Sequence, residues 1–439
     1  MTTSPEPVPI RPKDRDAILQ ALGAGVVPRV GLQHIQVGRL LEVKAAVRDI
    51  DRIADQGSAF RVIIGEYGAG KTFFLHLIRT IALEKRLVTI HADLAPDRRL
   101  FARGGEARNL YQEAVRNLAT RAKPDGGALQ SLVERFVSEA SKAAKDKGIS
   151  SEEIIRERLT SLEEHVGGYD YATVLSAYVR GHEQGNEQLK SDALRWLRGE
   201  FTTKTDARNA LGVRTIVDDE TVYDHFKLLG AFVRASGYGG LLVMIDEMVN
   251  LYKLQHATAR NQNYEQILRI LNDVLQGGVS GFGVYLGGTP EFLLDTRRGL
   301  FSYPALQSRL GENQFAKDGL VDYSGPVLRL GNLTPADLHI LLDNVRRVHA
   351  GGDLSKSPLP EIAIDAFMHH CSKQIGDAYF RTPRNSVRAF IQLLTIVEQN
   401  PGTDWASLIG AVKVAEDPAL STSEVASAEG DDELTSFRL

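Results

Sequence analysis

The sequence predicts an α/β protein organised around a parallel sheet of five strands, and three observations carry that prediction. First, five short apolar, β-prone runs recur with helical stretches between them: Phe60–Ile64, Val88–Asp93, Gly240–Asp246, Phe282–Gly287 and Val327–Leu330. Strands that alternate with helices run parallel, because each crossover lays a helix over one face and buries the sheet on both. Second, the first run breaks at Gly65 into a glycine-rich turn, and apolar residues at helical spacing follow it (Phe74, Leu75, Ile78, Ile81). Strand, turn, helix and second strand make a βαβ unit. Third, from about residue 105 to 237 the pattern is helical almost without a break and shows no repeat period. That stretch reads as a large helical insertion between the second and third strands.

Taken in order, residues 1–12 are polar and proline-rich and read as disordered, without the apolar core of a signal peptide. A short amphipathic helix is expected over Asp14–Leu22, ended by Gly23 and Gly25. The stretch Val37-Gly38-Arg39-Leu40-Leu41-Glu42 then leads into a helix reaching about Gln56. Within the insertion, Leu110, Ala114, Val115 and Leu118 mark one apolar face, and Leu129, Leu132, Val133 and Phe136 the next. From Thr334 the pattern is again helical and predicts a small bundle; beyond about Pro418, Ser, Ala, Glu and Asp dominate, as in a disordered acidic tail. The expected divisions are an N-terminal extension (1–30), a first part of the core (31–104), the insertion (105–237), a second part of the core (238–332), a C-terminal helical lid (333–413) and the tail (414–439).

At 439 residues the chain exceeds what one hydrophobic core usually supports, so two or three sub-domains are expected. No run of about 18 apolar residues is present to span a membrane as a helix. The single cysteine, Cys371, makes neither an intrachain disulfide nor a cysteine-based zinc site, and points to a reducing cytoplasm. A net charge of −4 is not that of a basic nucleic-acid coat, so any DNA contact has to come from local patches. Arg98, Arg99 and Arg103 form one such cluster, and Arg346, Arg347 and Lys373 another, though a charge cluster is more often a solvated face. His369-His370-Cys371 reads as packing and surface residues, because adjacent ligands on a helix point to different faces.

The turn after the first strand, Gly65-Glu66-Tyr67-Gly68-Ala69-Gly70-Lys71-Thr72, fits G-x-x-x-x-G-K-[ST] at every fixed position. Its glycines let backbone N–H groups curl around a β-phosphate, and the following helix turns its positive end toward it. Lys71 would reach the β- and γ-phosphates, the Thr72 hydroxyl would ligate Mg²⁺, and the nucleotide-contacting run is expected to extend from Gly65 to Phe73. Such a loop needs a second acid at the end of a neighbouring strand. Asp246-Glu247 after the third run supplies it, with Asp246 holding a Mg²⁺-bound water and Glu247 acting as general base on the attacking water. ATP is the expected nucleotide. A GTPase would read guanine through N/T-K-x-D, but Thr203-Lys204-Thr205-Asp206 precedes the third strand and reads as a helix N-terminus inside the insertion.

Three further residues belong to this set. Thr289, in Gly287-Gly288-Thr289 at the end of the fourth run, either senses the γ-phosphate or caps the helix that begins at Pro290. Arg309 follows the fourth strand and its helix, where an arginine can point into a neighbouring subunit as a finger; Arg297 and Arg298 are alternatives. Arg384 opens a helix of the C-terminal bundle and would reach back to the γ-phosphate.

The order of these elements resembles the AAA+ branch of P-loop ATPases: a Gly38-Arg39 box, the phosphate loop, an Asp-Glu strand end, a polar sensor strand, an arginine finger and a helical lid with an arginine. The layout is similar to origin-recognition and transposition-type ATPases, which implies strand order 5-1-4-3-2 and a helical lid. A closer resemblance covers most of the chain. The loop through Phe73-Phe74-Leu75, the Leu110-Tyr111 helix, Arg195-Trp196-Leu197-Arg198-Gly199, Ile245-Asp246-Glu247 and Leu286-Gly287-Gly288-Thr289-Pro290-Glu291 are similar to BREX system ATP-binding proteins of the BrxD type. That resemblance implies a role in bacterial anti-phage defence, with DNA and other defence-system proteins, a helicase among them, as partners. Two readings follow. One is a Mg²⁺-dependent ATPase that assembles as a homo-oligomer through Arg309 and handles DNA. The other is a nucleotide-gated switch or scaffold that recruits partner proteins and hydrolyses little.

Overall fold

The computed structural model describes residues 9–163, 166–316, 320–375 and 383–411. The first eight residues, Arg381-Thr382 and the acidic tail expected over 414–439 lie outside them. Two compact units make up the described chain. One comprises residues up to Arg39, Gly65–Leu77 and the segment from Leu330 onward; the other comprises Leu40–Ile64 and Ile78–Arg329.

The larger unit is built on the sheet: β1 (Ser58–Gly65), β2 (Val88–Asp93), β3 (Leu241–Asp246), β4 (Phe282–Gly288) and β5 (Val327–Leu330). Their order is β2-β3-β4-β1-β5, which counted from the other edge is 5-1-4-3-2. The β1–β4, β2–β3 and β3–β4 ladders are parallel, with Ile64 opposite Gly288 and Asp93 opposite Asp246. Successive side chains leave a strand on opposite faces. Phe60, Val62, Ile64, Ile90, Val243, Ile245 and Val284 therefore share one core, into which the inserted helices Glu106–Arg116, Leu129–Lys147, Gly168–Gln184 and Val222–Ala235 pack. The opposite face carries a buried polar group. Arg61 on β1 donates from Nε to Asp49 Oδ2 (2.6 Å) and from Nη2 to Asp49 Oδ1 (3.1 Å), and from Nη1 to the Gly325 carbonyl. The Tyr285 hydroxyl on β4 donates to the same carboxylate at 2.9 Å. With all of these bonds made, the helix Leu40–Ala54 that carries Asp49 is fixed against β1 and β4 without leaving a buried charge unpaired.

The insertion is stapled by the residues that carried the closer resemblance. Tyr111 donates its hydroxyl to the Leu197 carbonyl (2.9 Å), Gln112 reaches the Gly199 carbonyl (2.7 Å), and the Trp196 indole donates to Thr215 (2.8 Å). Gly199 has φ +73°, and a Cβ there would stand 3.1 Å from the Tyr111 ring, so glycine is needed on both counts. Thr203 caps the helix Lys204–Leu211 by accepting from the Asp206 amide at 3.1 Å. The Thr203–Asp206 stretch is thus a helix start and not a base-reading motif.

In the smaller unit, the helices Pro12–Gly23, Pro335–His349, Ile362–Ile375, Pro383–Gln399 and Trp405–Ala411 bury Ile18, Ile35, Leu342, Phe367, Cys371, Phe390 and Leu394 in one core. The first helix begins with proline, whose missing N–H would be unbonded there in any case. Among the described residues no helix is long and apolar enough to cross a membrane.

Candidate functional site

In the smaller unit, the loop leaving β1 has the conformation its glycines allow. Gly68 and Gly70 sit at φ +81° and +77°, in the left-handed region where other residues are strained. Gly65 is hemmed in: a Cβ there would meet Ala69 Cβ and the Leu330 carbonyl, each at 3.2 Å. The helix Lys71–Glu84 starts at the loop's last lysine. Lys71 is half-buried and its ammonium donates to the Gly65 carbonyl (2.8 Å) and the Glu66 carbonyl (3.0 Å), while Thr72, Glu66 and Tyr67 are exposed. A glycine-rich turn running into a helix N-terminus is the backbone arrangement that suits an anion. The Arg384 guanidinium carbon lies 6.0 Å from the centre of the Tyr67 ring, and the Arg384 methylenes approach Gly25.

In the larger unit, β3 ends in Asp246, which is 7% exposed. Its Oδ1 accepts from the Glu247 amide at 2.8 Å. Glu247 is exposed and has φ +59°. A non-glycine residue held there costs of order 1–3 kcal/mol and persists only where the surroundings fix it. The surroundings do: the Met248 amide donates to the Gly287 carbonyl (2.9 Å), Met248 is fully buried, and the Leu94 amide donates to the Asp246 carbonyl (3.0 Å). The left-handed step turns the chain sharply out of β3 and sets an exposed glutamate beside a buried aspartate.

Sequence reading missed Asp93. It ends β2 in register with Asp246, so the two side chains leave neighbouring parallel strands on the same face. Asp93 keeps a solvent-exposed side chain, yet desolvation by its surroundings, then the Asp246 charge, push its carboxyl above the ordinary value, against a smaller pull from Arg98. The signal was an acid at the end of a predicted strand whose neighbour also ends in an acid.

Thr289 follows β4 directly and is the N-cap of the helix Pro290–Leu294, accepting from the Phe292 amide at 3.4 Å, which is the capping alternative. Arg309 is exposed on the helix Pro304–Leu310, with Nη1 on its own helix's Ala305 carbonyl. Arg297 is exposed, whereas Arg298 turns inward onto the Tyr252 ring (5.4 Å) and the Tyr252 and Leu254 carbonyls.

One member of an expected basic cluster is corrected. Arg346 is 6% exposed; it holds Asp343 Oδ1 through Nε (3.0 Å) and Nη2 (2.6 Å), and donates to the Leu359 carbonyl. A buried guanidinium consumed by a carboxylate and a carbonyl of its own surroundings is a packing element and not a phosphate contact. In the other cluster, Arg98 lies beside Asp97 and Glu113, and Arg99 beside Glu106.

A family model described as BREX system ATP-binding protein BrxC/D matches residues 10–413, and the chain belongs to that family. No curated protein matches it.

Proposed function

We propose that this member of the BREX ATP-binding family is an AAA+-type, Mg²⁺-dependent ATPase that acts on DNA together with other defence-system proteins, a helicase among them. The observation that carries hydrolysis is the strained Glu247 beside buried Asp246. A protein that only binds nucleotide has no use for an exposed carboxylate kept in a costly conformation, whereas a general base must project toward the water it activates. Nucleotide phosphates would lie on the amides of Gly65 to Thr72, with Lys71 leaving the loop carbonyls for the β- and γ-phosphates. The Thr72 hydroxyl and the Asp246 carboxylate are oxygen donors of the kind a hard divalent cation takes, and Mg²⁺ there would neutralise charge on the phosphates.

Arg309 is the finger we favour; Arg298 is consumed within its own subunit, and exposed Arg297 is the alternative. Homo-oligomerisation follows from that choice, since an exposed finger serves a neighbour's nucleotide. The test is ATP turnover by the purified protein alone, with single-stranded and with double-stranded DNA, beside Glu247→Gln. DNA-stimulated turnover lost in the variant supports the proposal. Tight ATP binding with negligible turnover under every condition would leave the nucleotide-gated switch.

A further inference from the structure

We propose that Arg39 is a positioning residue that holds the phosphate loop in its nucleotide-binding conformation before nucleotide arrives; the inference rests on the reading of Gly65–Thr72 as the ATP site. Within the smaller unit, one guanidinium group donates from Nη2 to the Ala69 carbonyl and to the Gly331 carbonyl (3.2 Å), and from Nη1 to the Gly70 carbonyl (3.5 Å). Two of these acceptors are consecutive loop residues. The third is the first residue past β5, in the same segment whose Leu330 carbonyl closes on Gly65.

The consequence follows from the peptide plane. A trans peptide points its C=O and its N–H in opposite directions. The Ala69 carbonyl shares a plane with the Gly70 amide, and the Gly70 carbonyl with the Lys71 amide. A cation fixed on both carbonyls therefore turns the Gly70 and Lys71 N–H groups to the opposite side, where an anion would be bound. Charge-assisted bonds to the carbonyls also polarise the same peptides and make those N–H groups better donors. A Cβ at Gly70 would stand 3.6 Å from Arg39 Nη1, an ordinary contact, so the glycine there answers to its φ of +77° and not to the guanidinium. Arg39 itself is at φ +58°, directly after Gly38 at +59°. A left-handed arginine is strained, and the strain is accounted for when the side chain, not the turn, is what the position requires.

Preorganisation of this kind appears in affinity and in the free protein, not mainly in the chemical step. The experiment compares wild type, Arg39→Lys and Arg39→Ala by ATP titration, steady-state turnover and amide exchange over the loop peptide without nucleotide. Hydrogen bonds to a charged group are worth enough that Arg39→Ala is expected to raise the ATP Kd about 10- to 100-fold. The rise should fall on KM more than on kcat, and loop amides should exchange faster. Arg39→Lys, whose point charge cannot fork onto two carbonyls, should lie between. It also serves where Arg39→Ala fails to fold. Both variants binding ATP like a wild type that binds it well, with unchanged loop exchange, would overturn the role of Arg39. A wild type that does not bind ATP at all would instead overturn the reading of the loop, and this inference with it.

Discussion

The loop after β1 and the turn after β3 both enter the left-handed region, and they do so with opposite residue types. In the loop after β1 the left-handed positions are Gly68 and Gly70, where the conformation costs little and the side chain is absent. At the end of β3 the left-handed position is Glu247, where the conformation is costly and the side chain is an exposed carboxylate. The first turn uses its backbone and dispenses with side chains; the second keeps a side chain that a turn alone would not select. On the proposed function, the contrast separates a binding surface made of amides from a position retained for chemistry.

The largest expected effect tests the second half of that contrast. Glu247→Gln keeps the shape and removes the base, so ATP binding should persist while turnover falls by about 10²- to 10⁴-fold. Turnover at the wild-type rate would remove Glu247 from the chemistry and leave its strain unexplained. Lys71→Ala tests the first half. On the proposed function it would remove charge-assisted bonds to two phosphates, and it should weaken ATP binding by about 100-fold or more in an equilibrium titration.

The comparison sharpens when glycine is exchanged between the two turns. Gly68→Ala places a Cβ at φ +81° and should destabilise the protein by about 1 kcal/mol or more in denaturant unfolding. At position 247 the ordinary preference should invert. Glu247→Gly relieves the strain that Glu247→Ala keeps, so the glycine variant should be the more stable by about 1 kcal/mol, although glycine loses more chain entropy on folding. An alanine variant as stable as the glycine variant would mean that the β3 turn is not strained.

The sequence exposes these regions unequally, for physical reasons. The strands are legible because buried parallel strands are continuous apolar runs, and β2 and β5 appear with the bounds Val88–Asp93 and Val327–Leu330. The loop is legible because its glycines and lysine are required one by one by phosphate geometry. Glu247 is legible as an acid after a strand, but its φ is not, since nothing in the string distinguishes a relaxed glutamate from one held by Met248 and Leu94. Arg39 and Arg346 show the same limit with cations. Both are arginines in the string, yet one holds the carbonyls of the loop after β1 and the other a half-buried carboxylate within its own helix. Asp93 escapes because its meaning depends on register with Asp246, a contact 153 positions away that only the sheet order creates.

Asp93 supplies the smallest expected effect. Its folded-state carboxyl is raised by desolvation and by Asp246, so the folded state prefers it protonated. Its favourable contribution is complete below the unfolded carboxylate value, about pH 4, and is lost as pH rises through the raised folded value. At neutral pH an ionised Asp93 in these surroundings is a cost to the fold. Asp93→Asn should therefore raise the melting temperature modestly at pH 7, and the gain should shrink as pH falls toward 4. A gain that is the same at both pH values would trace to packing, and no gain at pH 7 would mean that the two strand-end carboxylates do not oppose each other. A gain with the expected pH dependence would place a second strained feature at the carboxyl end of the sheet, electrostatic where Glu247 is conformational. Both would be sacrifices of stability at the edge where the acids stand, whereas the glycine loop obtains its shape with almost none.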